Sequence, residues 1–202
     1  MMDNLMSATI GGVAGAVIGA IITGWFTIRA VRQTHQNDLE KQEINEEQLI
    51  KSILQALYDE IDTLWNMYNN RVGIKLEALP EKTIFHLIYP VTQEYFTVYN
   101  GNSFLIGRIK DHDLRKAIIT TYTRAKGLLD SFRMNNDLLQ KFDYFYLLHQ
   151  ETGNSVHEQA RNIQHLLLID YAEKLKVSHN ELKQEVHNLL RMFNKQGVIS
   201  EK

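Results

Sequence analysis

Between Asn4 and Ile28 the chain runs through 25 residues without a charge, and from Ile50 onward its apolar positions return at intervals of three and four. The first pattern predicts a membrane span, because 25 residues of helix would be roughly 37 Å long against a hydrocarbon core of about 30 Å. A buried core helix seldom needs more than about 18 such residues in a row. A cleaved signal peptide would want a basic start and a shorter apolar run, and Met1-Met2-Asp3 supplies no base. The second pattern predicts helices packed as a bundle. Ile50, Leu54, Leu57, Ile61, Leu64 and Tyr68 form one stripe, widened by Ile53 and Trp65. Leu114, Ile118, Tyr122, Ala125, Leu129, Phe132 and Leu139 form another, which reaches to about Leu148 and is capped by Asp111. Val156, Ala160, Ile163, Leu167 and Tyr171 follow a Gly153-Asn154-Ser155 turn.

Breaks between these stripes set the expected boundaries. Gly73 should end the first bundle helix, and Pro80, Pro90 and Gly101 punctuate a stretch that carries Phe85, Tyr89, Tyr95, Phe96, Tyr99 and Phe104. Most of these rings are expected in the core, on two short helices, with a strand over Thr83 to Tyr89 as the alternative. Ser178 and Glu181 match a capping box, so Leu182, Val186, Leu189, Leu190 and Phe193 are expected on a separate last helix unless the preceding one continues. Asn136 falls on an apolar stripe, where a buried amide needs partners and can fix the register between helices. The organisation expected is all-α: an extracytoplasmic N-terminus at 1–6, a transmembrane helix at 7–28, a polar juxtamembrane helical stalk at 29–49 and a cytoplasmic helical bundle at 50–202. Arg29 and Arg32 follow the span directly and, by the positive-inside bias, place that bundle in the cytoplasm.

Composition sharpens the reading of the span. From Ser7 to Ile28, 13 of 22 residues are Gly, Ala, Ser or Thr. Ala8, Gly11, Gly12, Gly15, Ala16, Gly19 and Thr23 fall on one half of the helix surface, and Gly11, Gly15 and Gly19 repeat a small-xxx-small spacing that lets backbones approach closely in lipid. A face this broad suits a helix with a neighbour on each side, hence a homo-oligomeric ring or bundle rather than a dimer seam. The plainer alternative is a glycine-rich tether, and Phe26, which points into the small face, favours it. No intramembrane charge marks an ion path.

Charge and cysteine narrow the chemistry. A formal net charge of -2 and the absence of cysteine leave no basic field for nucleic acid and no thiol chemistry. The eight histidines are scattered without metal-ligand spacing and are expected on the solvated surface. His157-Glu158 lacks the second histidine of a zincin, and no glycines match a phosphate-binding loop. Arg29 and His35 meet the spacing of an Arg-x(4-6)-His ribonuclease pair, but Arg29 is explained by topology, and Asp111-His112-Asp113 reads as helix capping. No catalytic residue, metal or cofactor is assigned.

The layout of a short outer N-terminus, a small-residue span and a helical bundle resembles the small single-pass membrane effectors of bacterial phage-defence systems, among them the membrane accessory protein of type VI-B CRISPR systems and the membrane effectors of some retrons. The resemblance is one of architecture. It implies an inner-membrane protein whose partners are the lipid bilayer and further copies of itself, with a pore or membrane disruption as its output and the bundle as its control. The rival expectation is a membrane-tethered adaptor or sensor whose bundle binds a protein partner.

Overall fold

The computed structural model describes residues 2–91 and 94–198, with side chains from residue 25 onward. All its elements are helical: α1 (Met2–Tyr68), a π-helical turn (Asn69–Gly73), α2 (Ile74–Glu77), α3 (Thr97–Gly101), α4 (Ser103–Ile106), α5 (His112–Thr152) and α6 (Ser155–Lys195). The chain is all-α, with two compact units at Met1–Leu49 and Ile50–Lys202. Among the described residues no helix is long and apolar enough to cross a membrane. The span expected at 7–28 falls largely on residues whose side chains lie outside the described ones.

In the first unit, every side chain described from Trp25 to Leu49 is exposed, Trp25, Phe26, Ile28 and Val31 included. Arg29 sets its guanidinium over the Trp25 ring, 5.4 Å from the centroid, one turn along the helix.

The second unit is built on the end of α1 and on the α5–α6 hairpin. Ile53, Leu54, Leu57, Ile61 and Trp65 of α1 pack with Leu114, Ile118, Tyr122, Leu128 and Phe132 of α5 and Leu175, Leu182, Val186, Leu189 and Phe193 of α6. Helix α5 begins where Asp111 accepts the Leu114 N–H at 3.0 Å. It ends at Gly153, whose φ of 63° lies in the left-handed region that glycine enters without a Cβ clash. Asn154 then caps α6 by accepting the Val156 N–H at 2.9 Å.

Four boundary expectations need correction. Gly73 does not end a helix: the backbone widens into the π turn and continues as α2. No break occurs at Ser178, because α6 runs unbroken to Lys195. The expected α6 stripe is not its buried face, since Val156, Ile163 and Leu167 are exposed while Leu168, Ala172 and Leu175 are buried. Between Leu79 and Phe96 the described backbone is neither helix nor strand, and the short helices lie later, at α3 and α4.

That irregular segment is held by side chains of α5. Asn136 accepts the Tyr89 N–H at 3.1 Å and donates its amide to the Tyr89 carbonyl at 2.7 Å, doing for one residue what a neighbouring strand would do. Asn135 donates to the Phe85 carbonyl at 3.3 Å. Asn136 therefore fixes a loop to a helix rather than the register between helices. Helix α3 is likewise completed from outside: Glu60 of α1 accepts the Val98 and Tyr99 N–H groups at 2.7 and 3.1 Å. The Tyr122 hydroxyl donates to the same carboxylate at 2.9 Å. Phe85 and Phe96 are core as expected; Phe104 is not, lying 71% exposed beneath the Arg108 guanidinium.

Candidate functional site

The histidine expected at the surface with the other seven, His179, is 1% exposed. It sits at the centre of a polar chain crossing from α1 to α6. Its Nε2 is 2.7 Å from Glu77 Oε1 and its Nδ1 is 2.8 Å from the Tyr68 hydroxyl. A carboxylate can only accept, so Nε2 carries the proton and donates; in the neutral ring Nδ1 is then the acceptor of the Tyr68 O–H. Lys183, one turn along α6, donates to the same Glu77 oxygen at 2.8 Å. The Glu77 carboxyl is held below its ordinary value by Lys183 first and His179 second. Burial pushes the Tyr68 phenol well above its ordinary value, so it remains a proton donor at any physiological pH.

The π turn makes this arrangement possible. A Cβ on Gly73 would collide with Asn69 Oδ1 and lie 2.9 Å from His179 Cε1, so the bare glycine lets the turn settle against the imidazole without displacing either side chain. One extra residue per turn also carries Glu77 round to the His179 side while Tyr68 stays at the end of α1. Aromatic packing completes the cage: Trp65 stacks on His179 with centroids 5.8 Å apart, and His187 meets the Trp65 ring edge-on at 6.0 Å.

Tyr68 also belongs to the wall of a cavity of about 310 Å³ between α1, residues 87–90 and 95–96, α5 and α6. Its lining is apolar or aromatic apart from Arg71. Two of the three lining tyrosine hydroxyls are hydrogen-bonded, Tyr68 with His179 and Tyr95 with the Pro90 carbonyl at 2.8 Å; the third ring is Tyr89. Burial pushes the Tyr89 phenol up to about 12, aided by its neighbour Tyr95. Arg71 is exposed and makes no hydrogen bond or ion pair among the described residues.

Chemically, Tyr68, His179 and Glu77 form a proton-sharing chain that fastens the end of α1 to α6, beside an apolar chamber with one cation at its edge. Among the described residues no group of three histidines or carboxylates is arranged to hold a metal ion. Of the residues singled out in the sequence, Arg29 and Arg32 are exposed on α1. Ala8, Gly11, Gly12, Gly15, Ala16, Gly19 and Thr23 belong to α1, but their side chains lie outside the described residues. His35 is exposed, and Asp111 caps α5. Sequence reasoning missed His179, Glu77 and Glu60, although His179 occupies a core position in the α6 rhythm and could have been found by it. No family model, no curated protein and no solved structure matches the chain.

Proposed function

We propose that this chain is a membrane-anchored, homo-oligomeric effector of the kind used in bacterial phage defence, in which the helical bundle controls how the N-terminal spans pack and so whether the membrane is breached. The observation that carries the reading is the uncharged segment from Asn4 to Ile28 with its Gly11, Gly15 and Gly19 face. The continuity of α1 supports it, for the helix assigned to Met2–Tyr68 also supplies Ile53, Leu57, Ile61 and Trp65 to the bundle core.

The test is the mass of the full chain in mild detergent together with the membrane potential of cells that express it. Gly15→Leu should reduce the particle to a smaller species and abolish depolarisation, because each helix would then meet its neighbour at a bulky side chain. Val17→Leu, on the opposite face, should change neither. An unchanged mass with Gly15→Leu removes the close-packing idea.

One observation favours the adaptor reading. Along the distal part of the α5–α6 hairpin, Tyr144, Leu147, Val156, Ile163 and Leu166 are each more than half exposed, an apolar surface of the kind that receives a protein partner. Replacing residues 1–28 with an unrelated Leu-rich anchor separates the two readings. An adaptor keeps its activity after the exchange, whereas the effector loses it.

A further inference from the structure

The chamber beside Tyr68 has the properties of a ligand site, and its occupant can be argued from size and charge. At ~30 Å³ for each water-sized unit, 310 Å³ accommodates roughly ten non-hydrogen atoms. Its floor is buried and apolar, formed by Ile61, Trp65, Leu128, Phe132, Leu182 and Val186. Its exposed edge includes Met67, Arg71, Ile88 and Pro90, so among the described lining residues Arg71 is the one charge. With the Tyr68 and Tyr95 hydroxyls engaged, the described lining residues offer a ligand no side-chain charge other than Arg71 and, besides the Tyr89 hydroxyl, little hydrogen bonding, whereas the Arg71 guanidinium, with no hydrogen bond or ion pair among the described residues, presents donors suited to a carboxylate. We propose that this cavity binds a medium-chain carboxylic acid of about eight to ten carbons, its chain lying between Trp65 and Phe132 and its carboxylate paired with Arg71 at the mouth. The site joins α1, α5 and α6, so an occupant favours whichever packing of these helices leaves the chamber open. This inference goes beyond the effector reading and does not depend on it.

Trp65 is a built-in reporter, because Trp25 is the only other tryptophan of the chain. The experiment uses the full chain carrying Trp25→Phe in nanodiscs of phosphatidylcholine, titrated with sodium decanoate and followed by tryptophan emission, with empty discs correcting for partition. Saturable binding is expected, strengthening about fourfold for each methylene from hexanoate to decanoate and levelling off by dodecanoate. Arg71→Gln should weaken decanoate about tenfold and leave 1-decanol unchanged. Ala125→Phe fills the chamber from the α5 side and should abolish the response, as should Leu129→Phe, each with its helical circular dichroism retained. Equal binding of decanol and decanoate to the parent, or an Arg71→Gln variant indistinguishable from it, overturns the anionic ligand. A response that survives both filling variants, or no saturable response at all, overturns the site. None of these readouts uses membrane potential or particle mass, so the binding site and the effector reading can fail separately.

Discussion

Trp65 and His179 lie ring against ring, 5.8 Å between centroids and 19° from parallel, although 114 positions separate them along the chain. That contact buries the only described imidazole that has both ring nitrogens tied to side chains of another part of the bundle, Tyr68 at one end and Glu77 at the other. The histidine is thus a structural link between α1 and α6.

Removing it should be costly. His179→Leu strands the half-buried Tyr68 hydroxyl and takes a donor from Glu77, which on the usual scale for an orphaned polar group costs about 1–3 kcal/mol. Tyr68→Phe should cost about 1 kcal/mol, and the double variant less than the sum, because the two remove one shared bond. Urea denaturation of the four proteins measures the coupling; strict additivity would show that the Tyr68–His179 bond contributes nothing.

Gly73 inverts an ordinary rule. Its backbone is helical, so Gly→Ala would normally stabilise by about 1 kcal/mol. Here the added methyl meets Asn69 and the His179 ring, and overpacking of this sort costs about 1–3 kcal/mol, so Gly73→Ala should destabilise on balance. Adding Asn69→Ala should recover part of the loss, since the nearest obstacle is the Asn69 side-chain oxygen. A rise in melting temperature with Gly73→Ala alone would contradict the packing.

Asn136→Leu should release the segment around Tyr89, whose N–H and carbonyl both depend on that amide. The expected loss is about 1–3 kcal/mol. Limited proteolysis is the direct measurement: cleavage between residues 82 and 91 should accelerate well before the helices are cut. An unchanged cleavage pattern would mean that packing of Phe85 and Tyr89 alone retains the segment.

The Glu77 carboxyl makes one sign of pH dependence unavoidable. Because Lys183 and His179 hold it below its ordinary 4.5, its contribution to stability is complete above that value and is lost as pH falls through the lower, folded value. Glu77→Gln should therefore lower the melting temperature at neutral pH and converge with the parent in acid. Solvent around the half-exposed Lys183–Glu77 pair screens the effect, so the change should be smaller than that of His179→Leu. Parallel pH profiles for the two proteins would exclude Glu77 as the titrating group.

How far these features were legible in the sequence depended on whether the deciding partner was local. Asp111 caps the helix that begins at the next residue by accepting an N–H only three positions on, within reach of any sequence reading, and the apolar rhythm from Leu114 to Leu139 is the buried face of α5. In α6 the buried positions 172, 175, 179, 182, 186, 189 and 193 keep one unbroken beat, but a polar histidine holds the third place. With His179 counted as surface, the beat lapses between Leu175 and Leu182, and the Ser178–Glu181 pair then looks like a helix start. Glu60 and Asn136 act on partners more than 35 residues away, and no local propensity announces a side chain that completes another segment's backbone. The π turn was illegible in part for the same reason: of the two groups that crowd a side chain at position 73, Asn69 is local but the other is an imidazole on α6.

Helices α5 and α6 are 41 residues each, yet their buried rows stop at Leu139 on the outgoing helix of the hairpin and resume only at Leu168 on the returning one. The pair is therefore uneven in cooperativity. Amides near Ile118 and Val186 can exchange their hydrogens only when the whole core opens, whereas those near Tyr146 and Ile163 need only the two helices to part, which costs far less. Two equal helices are divided into a slow-exchanging root and a fast-exchanging tip, and any partner that seats on the tip will announce itself first as a slowing of exchange there, with the root unchanged.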